Sequence, residues 1–260
     1  MVCSGYCIRL LIANPYRAEK RYGTRQKVNW VKNMRIAGVE KSSFIDYPEK
    51  ICTVFFTLGC NFRCSYCHNS SLVLGQGEEI TEAGALDFIV KRKKYVDAIC
   101  ISGGEPTLQN NLYEFIKKIK IKKFLVKLDT NGTNPQILDE LVRDNLVDYI
   151  AMDIKAPLHK YELVTDCKVD TDAIAKSIEI IKKSGVDYEF RTTLCKELLS
   201  PDDIFEIAGL LKGSDKYYMQ NFKDGDTVLA GKGRLTPYDL AELQSIKNKI
   251  KNNFRTCDVR

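Results

Sequence analysis

Cys60, Cys64 and Cys67 fall within eight residues, in the run Cys60-Asn61-Phe62-Arg63-Cys64-Ser65-Tyr66-Cys67. An iron–sulfur cube ordinarily takes four thiolates, so three closely spaced ones describe a cluster with one iron open to a substrate or cofactor. That open position would make a catalyst of an electron carrier. The same residues permit other chemistry. Cys64-Ser65-Tyr66-Cys67-His68 fits the C-x-x-C-H of covalent haem attachment, and Cys64 with Cys67 could be a redox dithiol or half a zinc site. Haem attachment needs export, for which the chain shows no convincing signal. A zinc site from Cys60, Cys64, Cys67 and His68 would draw four ligands from nine consecutive residues. Structural zinc sites more often join two separated pairs. The cluster is the reading carried forward.

Four further groups carry polar chemistry. Gly103-Gly104-Glu105-Pro106 permits close backbone approach, leaves carbonyls free for a cationic amine and adds one acid, although it could be an ordinary strand-to-helix turn. Asp129-Thr130-Asn131-Gly132 reads first as a turn, yet Asp129 ends an apolar run, where an acid needs a ligand amine, a hydroxyl or a cation as partner. Asp153 and Lys155 alternate across Ile154 and so share a face, as a salt bridge or as a ligand pair. Arg191 could clamp a carboxylate.

These groups must be held by regular elements. β-rich runs occur at 51–58, 97–102, 124–129, 149–154, 188–193 and 216–221. Helix-like segments follow at 81–94, 111–119, 135–145, 171–184, 201–211 and 237–251, several opened by Thr81-Glu82, Asn134-Pro135, Ser200-Pro201 or Thr236-Pro237. Repeated β-then-α units predict parallel strands joined by right-handed crossovers. The length favours an α/β fold of the partial (βα)6 TIM-like barrel type, with 34–50 as a hairpin or loop before the first strand. Each of the first five strands ends in, or contains, one of the polar groups, which predicts one shared rim at the carboxyl ends.

Composition bounds the partners. Residues 1–33 carry the whole net charge of +6, through seven Lys and Arg against Glu19 alone. The body, 34–260, is neutral and offers no footprint for nucleic acid. Residues 1–33 are read as a disordered extension or misassigned start and 34–260 as one domain. No apolar run is long enough to span a bilayer. The ten cysteines are unevenly spaced, which argues for free or metal-bound thiols in a reducing, cytoplasmic setting. No second cysteine grouping appears, so one cluster is expected.

From Met34 onward the sequence resembles the activating enzymes of glycyl-radical proteins in the radical S-adenosylmethionine (SAM) superfamily. It is most similar to those of anaerobic ribonucleoside-triphosphate reductase, with pyruvate formate-lyase-activating enzyme as a relative. The match rests on Gly38-Val39, Phe44 to Pro48, the cysteine triplet with His68-Asn69, Ser102 to Pro106, Asp129 to Gly132, Asp153 to Lys155, and Arg191. The resemblance implies a [4Fe–4S] cluster on Cys60, Cys64 and Cys67. It further implies SAM held by Tyr66 (adenine), Gly103, Gly104 and Glu105 (amino group), Lys155 and Arg191 (carboxylate), and Asp129 and Asp153 (nucleoside groups or a cation).

The implied reaction is reductive cleavage of SAM, followed by removal of a glycine α-hydrogen from a partner glycyl-radical enzyme. A flavodoxin or ferredoxin is the expected donor, and neither nucleic acid nor membrane is a partner. The cysteines of the ferredoxin-like insertion of some relatives are absent. His68 and Asn69 are expected to make supporting hydrogen bonds, and the 224–226 and 231–233 loops to shape partner docking. The rival readings are a radical SAM enzyme acting on a small molecule and a non-catalytic electron-transfer protein.

Overall fold

The computed structural model describes residues 34–260. The expectation for residues 1–33 lies outside the described residues. Eight strands form one sheet in sequence order: β1 (Ile36–Ser43), β2 (Cys52–Thr57), β3 (Ala98–Gly103), β4 (Leu125–Thr130), β5 (Tyr149–Asp153), β6 (Asp187–Leu194), β7 (Lys216–Asn221) and β8 (Thr256–Val259). The helices are α1 (Ser70–Val73), α2 (Glu82–Lys91), α3 (Leu112–Ile121), α4 (Pro135–Arg143), α5 (Tyr161–Thr165), α6 (Thr171–Lys183), α7 (Pro201–Leu210) and α8 (Leu240–Ile250).

From β2 to β8 every neighbouring pair is parallel, while β1 joins β2 as an antiparallel hairpin. β1 and β8 are the two ends of the strand order, so the sheet is an open barrel. Two features go beyond the six expected units. The 34–50 segment is a full edge strand followed by a loop, and β8 follows the last helix. α8 also starts at Leu240 rather than Pro237. Asn221 pins the preceding turn by exchanging hydrogen bonds of 2.9 Å with the Tyr238 N–H and carbonyl. None of the helices described is long and apolar enough to cross a membrane.

The helix starts obey the signals in the sequence. Thr81 accepts from Gly84 N at 3.1 Å, Asn134 caps α4 ahead of Pro135, and Ser200 forms a capping box with Asp203 ahead of Pro201. Strand alternation divides the core in two. One set of side chains, including Phe55, Ile99, Ile101, Val126, Leu128, Ile150 and Phe190, packs under the helices. The opposite parity gives a separate inner cluster of Cys52, Val54, Ala98, Cys100, Tyr149 and Ala151, closed by Tyr47, whose ring lies 5.7 Å from that of Tyr149.

Candidate functional site

Continuing the inner parity along each strand leads to polar residues at the strand ends. Two residues beyond Cys100 is Ser102, two beyond Lys127 is Asp129, two beyond Ala151 is Asp153, and two beyond Glu189 is Arg191. The polar layer therefore sits, at the carboxyl ends of the strands, on an inner layer in which the buried charges Lys127 and Glu189 join the apolar cluster. Above it lies a cavity open to solvent. Cys60, Cys64, Tyr66, Cys67, Gly103, Gly104, Glu105, Asp129, Asp153, Lys155 and Arg191 all line it. Every residue singled out for the site from sequence is thus brought to one place.

The cysteine loop is held from its base and one side. Gly59 N donates to Leu72 O at 2.8 Å, and Arg63 N to Thr165 O, at the end of α5, at 2.8 Å. Phe62 is buried and meets the Tyr161 ring edge-on at 6.4 Å. The two glycines of the β3 exit allow the loops to touch. Gly103 has φ of +110°, and a Cβ on Gly104 would lie 2.0 Å from Gly59 O. Their backbone is used there, with Gly104 N donating to Thr57 O and Glu105 N to Gly59 O, both at 2.8 Å.

Glu105 is almost fully enclosed. Its Oε1 accepts from Thr107 N at 3.0 Å, Thr107 Oγ1 at 2.6 Å and Thr130 Oγ1 at 2.8 Å, and its Oε2 accepts from Asn131 N at 2.7 Å. Burial raises its pKa, and these bonds offset that only in part. In this position it ties the β3 exit to the β4 exit and steadies the wall, a contribution that the sequence did not show.

Charge is concentrated opposite the cysteines. Arg191 Nε donates to Asp153 Oδ1 at 2.8 Å, and its guanidinium lies 3.6 Å from Asp129 and 3.9 Å from Glu189. Lys155 Nζ donates to Asp153 Oδ2 at 3.1 Å. Burial raises the Asp153 pKa, but Arg191 and then Lys155 outweigh it and hold the carboxyl at about 2. Burial likewise opposes Asp129, and Arg191 and Lys127 keep it below the usual carboxylate range. The Lys155 ammonium is favoured, since Asp153 more than offsets its burial. Burial pushes the Cys60 thiol up to about 12 and raises that of Cys64. Tyr66 Oη is buried without a hydrogen-bond partner among the described residues, and Lys155 Nζ lies 5.8 Å from the centre of its ring.

Several contributors went unrecognised in the sequence. Ser102 Oγ donates to Asp129 at 3.0 Å, Asn131 Nδ2 donates to Asn61 Oδ1 at 2.9 Å, and buried Lys127 pairs with Asp129 from below. A lysine two residues before Asp129 in an apolar strand was the available signal for the last. Gln220 brings β7 to the cavity. Asn69 lines it and donates to Gly103 O at 3.5 Å, whereas His68 turns into a neighbouring cavity and packs 5.8 Å from the Phe222 ring.

Comparison with known proteins agrees with this geometry. The profile of the radical SAM superfamily matches residues 54–211. A Methanocaldococcus jannaschii protein named as a glycyl-radical enzyme activating enzyme is 39% identical over 199 residues, 74% of this chain and 81% of its own. A pyruvate formate-lyase-activating enzyme of Clostridium pasteurianum is 30% identical over 187 residues, covering 68% of this chain and 76% of its own. The crystal structure of Streptococcus suis SuiB bound to S-adenosylmethionine superposes with a TM-score of 0.61 at 15% identity. That superposition covers 79% of this chain and 49% of SuiB, so the chain spans about half the length of that protein and shares its fold.

Proposed function

This chain belongs to the radical SAM superfamily and to its glycyl-radical-enzyme activating family, and from that premise we propose how its residues serve the reaction and which enzyme it activates. Family membership gives it a [4Fe–4S] cluster held by three cysteines, with SAM as the second cofactor. The residues present fit both groups. Three thiols and an unsatisfied buried phenol face one cavity whose far wall carries cations and carboxylates in matched pairs. Among the described residues no three His, Cys, Asp or Glu side chains converge on a single-ion point. A cube does not ask for that, since it takes each thiolate on a different iron.

In this proposal Cys60, Cys64 and Cys67 hold the cluster. Lys155 and Arg191 receive the SAM carboxylate, Asp129 and Asp153 face its polar nucleoside groups or a cation, and Tyr66 offers its ring and hydroxyl to the adenine. The Gly103–Glu105 backbone lies where an amino group would be met, and Glu105 orients it. When bound, the two cofactors supply one-electron chemistry that generates a hydrogen-abstracting radical. The protein contributes orientation and exclusion of water.

The target we propose is a glycine α-hydrogen of anaerobic ribonucleoside-triphosphate reductase, with a flavodoxin or ferredoxin as electron donor, in the cytoplasm. One observation carries the choice of a polypeptide substrate. A second cavity, lined by Ile45, Asp46 and Pro48 from the β1–β2 loop and by Phe222, Lys223 and Arg260 near β7 and β8, shares Arg191 and Gln220 with the first. Among the described residues the site is therefore open at its side, which suits entry of a loop of another chain. No disulfide joins the eight cysteines among the described residues.

The test uses the reconstituted protein, dithionite, SAM and the reductase labelled with α-deuterated glycine. Deuterium in 5′-deoxyadenosine together with a glycyl-radical EPR signal is expected. Production of 5′-deoxyadenosine without deuterium would reject this partner and return a small-molecule substrate to consideration.

A further inference from the structure

The loop leaving β7 lies beyond the matched segment 54–211, yet it grips the cysteine loop. Leu229 N donates to Cys67 O and Ala230 N to Ser65 O, each at 2.9 Å. These two carbonyls bracket Tyr66. Val228, next to the donors, is 4% exposed, and Phe222 at the base of the loop is 2% exposed beneath His68. The loop is also held to itself: Gly231 N donates to Val228 O at 2.8 Å and Gly233 N to Asp224 Oδ2 at 2.9 Å. Lys232 pairs with Asp226 at 3.1 Å.

The contribution is clear when the bonds are sorted by where they hold. On one side the cysteine loop is fixed at Arg63, through Thr165. Between Cys64 and His68 its own backbone supplies one turn bond, Cys67 N to Cys64 O at 3.0 Å. The two bonds from Leu229 and Ala230 hold the half that carries Tyr66 and Cys67. Without them the stretch from Cys64 to His68 would keep that one turn bond, between the anchor at Arg63 and the long 3.5 Å bond from Asn69 to Gly103 O, and its side chains would be freer to swing and to admit water.

We propose that Val228–Ala230 is a positioning strap for the cluster loop: its two amides set the placement of Tyr66 and Cys67, and buried Val228 keeps solvent from that side. The inference rests on the assignment of the cluster to Cys60, Cys64 and Cys67. Leu229→Pro and Ala230→Pro each delete one donor, because proline has no N–H. In the reconstituted full-length protein, each is expected to release iron to a ferrous chelator about tenfold faster, the range seen when groups supporting metal ligands are removed. The cluster's midpoint potential should also move upward, since added solvent favours the more negative reduced form. Arg234→Ala, in the same loop but outside the strap and without a side-chain partner among the described residues, should change neither.

Amide hydrogen exchange on the wild-type protein covers the case in which the proline variants do not fold. Leu229 and Ala230 should be protected far beyond Lys232. Variants that hold their cluster as the wild type does, at the same potential, would overturn the strap. So would strap amides exchanging as fast as Lys232. A wild-type chain that assembles no cluster would overturn the cluster assignment itself, and the inference with it.

Discussion

Asp153 illustrates what a single residue contributes here. It accepts from Arg191 and from Lys155 through different oxygens, and its pKa falls from 3.8 to about 2. A depressed carboxylate stabilises the fold above its unfolded pKa and loses that contribution as pH falls through the folded value. In the apo protein, the unfolding free-energy gap between wild type and Asp153→Asn should therefore be constant above about pH 5 and shrink as pH falls towards 2. The pH-dependent part of the gap is at most about 2 kcal/mol, reduced by screening at the solvent-facing edge of the carboxylate. Urea titrations at several pH values measure it, and a gap widening towards low pH would contradict the pairing. The sequence showed Asp153 and Lys155 as neighbours on one face. Arg191, the larger influence, reaches Asp153 across a strand pair that only the sheet creates.

At the scale of elements, the β3 exit and the cysteine loop are placed by a backbone contact that leaves no room for a methyl group. Gly104→Ala would set a Cβ 2.0 Å from Gly59 O, and neither partner is a flexible side chain. The expected outcome is a folded barrel with a displaced cysteine loop: near-native far-UV circular dichroism, with SAM affinity down by more than about tenfold. Gly209→Ala, on the exposed face of α7 with nothing within 4 Å, should instead stabilise by roughly 0.5–1 kcal/mol. Equal effects of the two substitutions on SAM binding would contradict the account.

The six strands β2 to β7 and the helices that follow them were legible because apolar period, caps and prolines agree with one another. β8 was not, being four residues long and half exposed, with its pairing to β7 decided by tertiary contact. The rim was legible because its motifs sit at strand ends. Ser102, Asn131 and Gln220 were not, since nothing in their local sequence distinguishes a cavity-facing amide or hydroxyl from a turn residue. For Glu105 the residue was found but its hydrogen-bonded enclosure was not, as that depends on Thr107, Thr130 and Asn131 arriving from two loops.

At the scale of the whole fold, residues 34–260 form a barrel that is closed below by Tyr47, holds the buried charges Lys127 and Glu189 beside the apolar residues of its lower layer, is polar at its upper rim and, among the described residues, is open along one side. The open side lies between β1 and β8, the ends of the strand order, and the second cavity leads through it to Arg191. Such a shape gives a segment of the partner protein a route to the reaction site. The account stands on three thiolates leaving one iron of a cube available to SAM. Anaerobic reconstitution with iron and sulfide, followed by EPR of the reduced protein with and without SAM, tests this directly. The account predicts a [4Fe–4S] signal that changes on addition of SAM and disappears in Cys64→Ala. A signal indifferent to SAM, or one that survives Cys64→Ala, would contradict it.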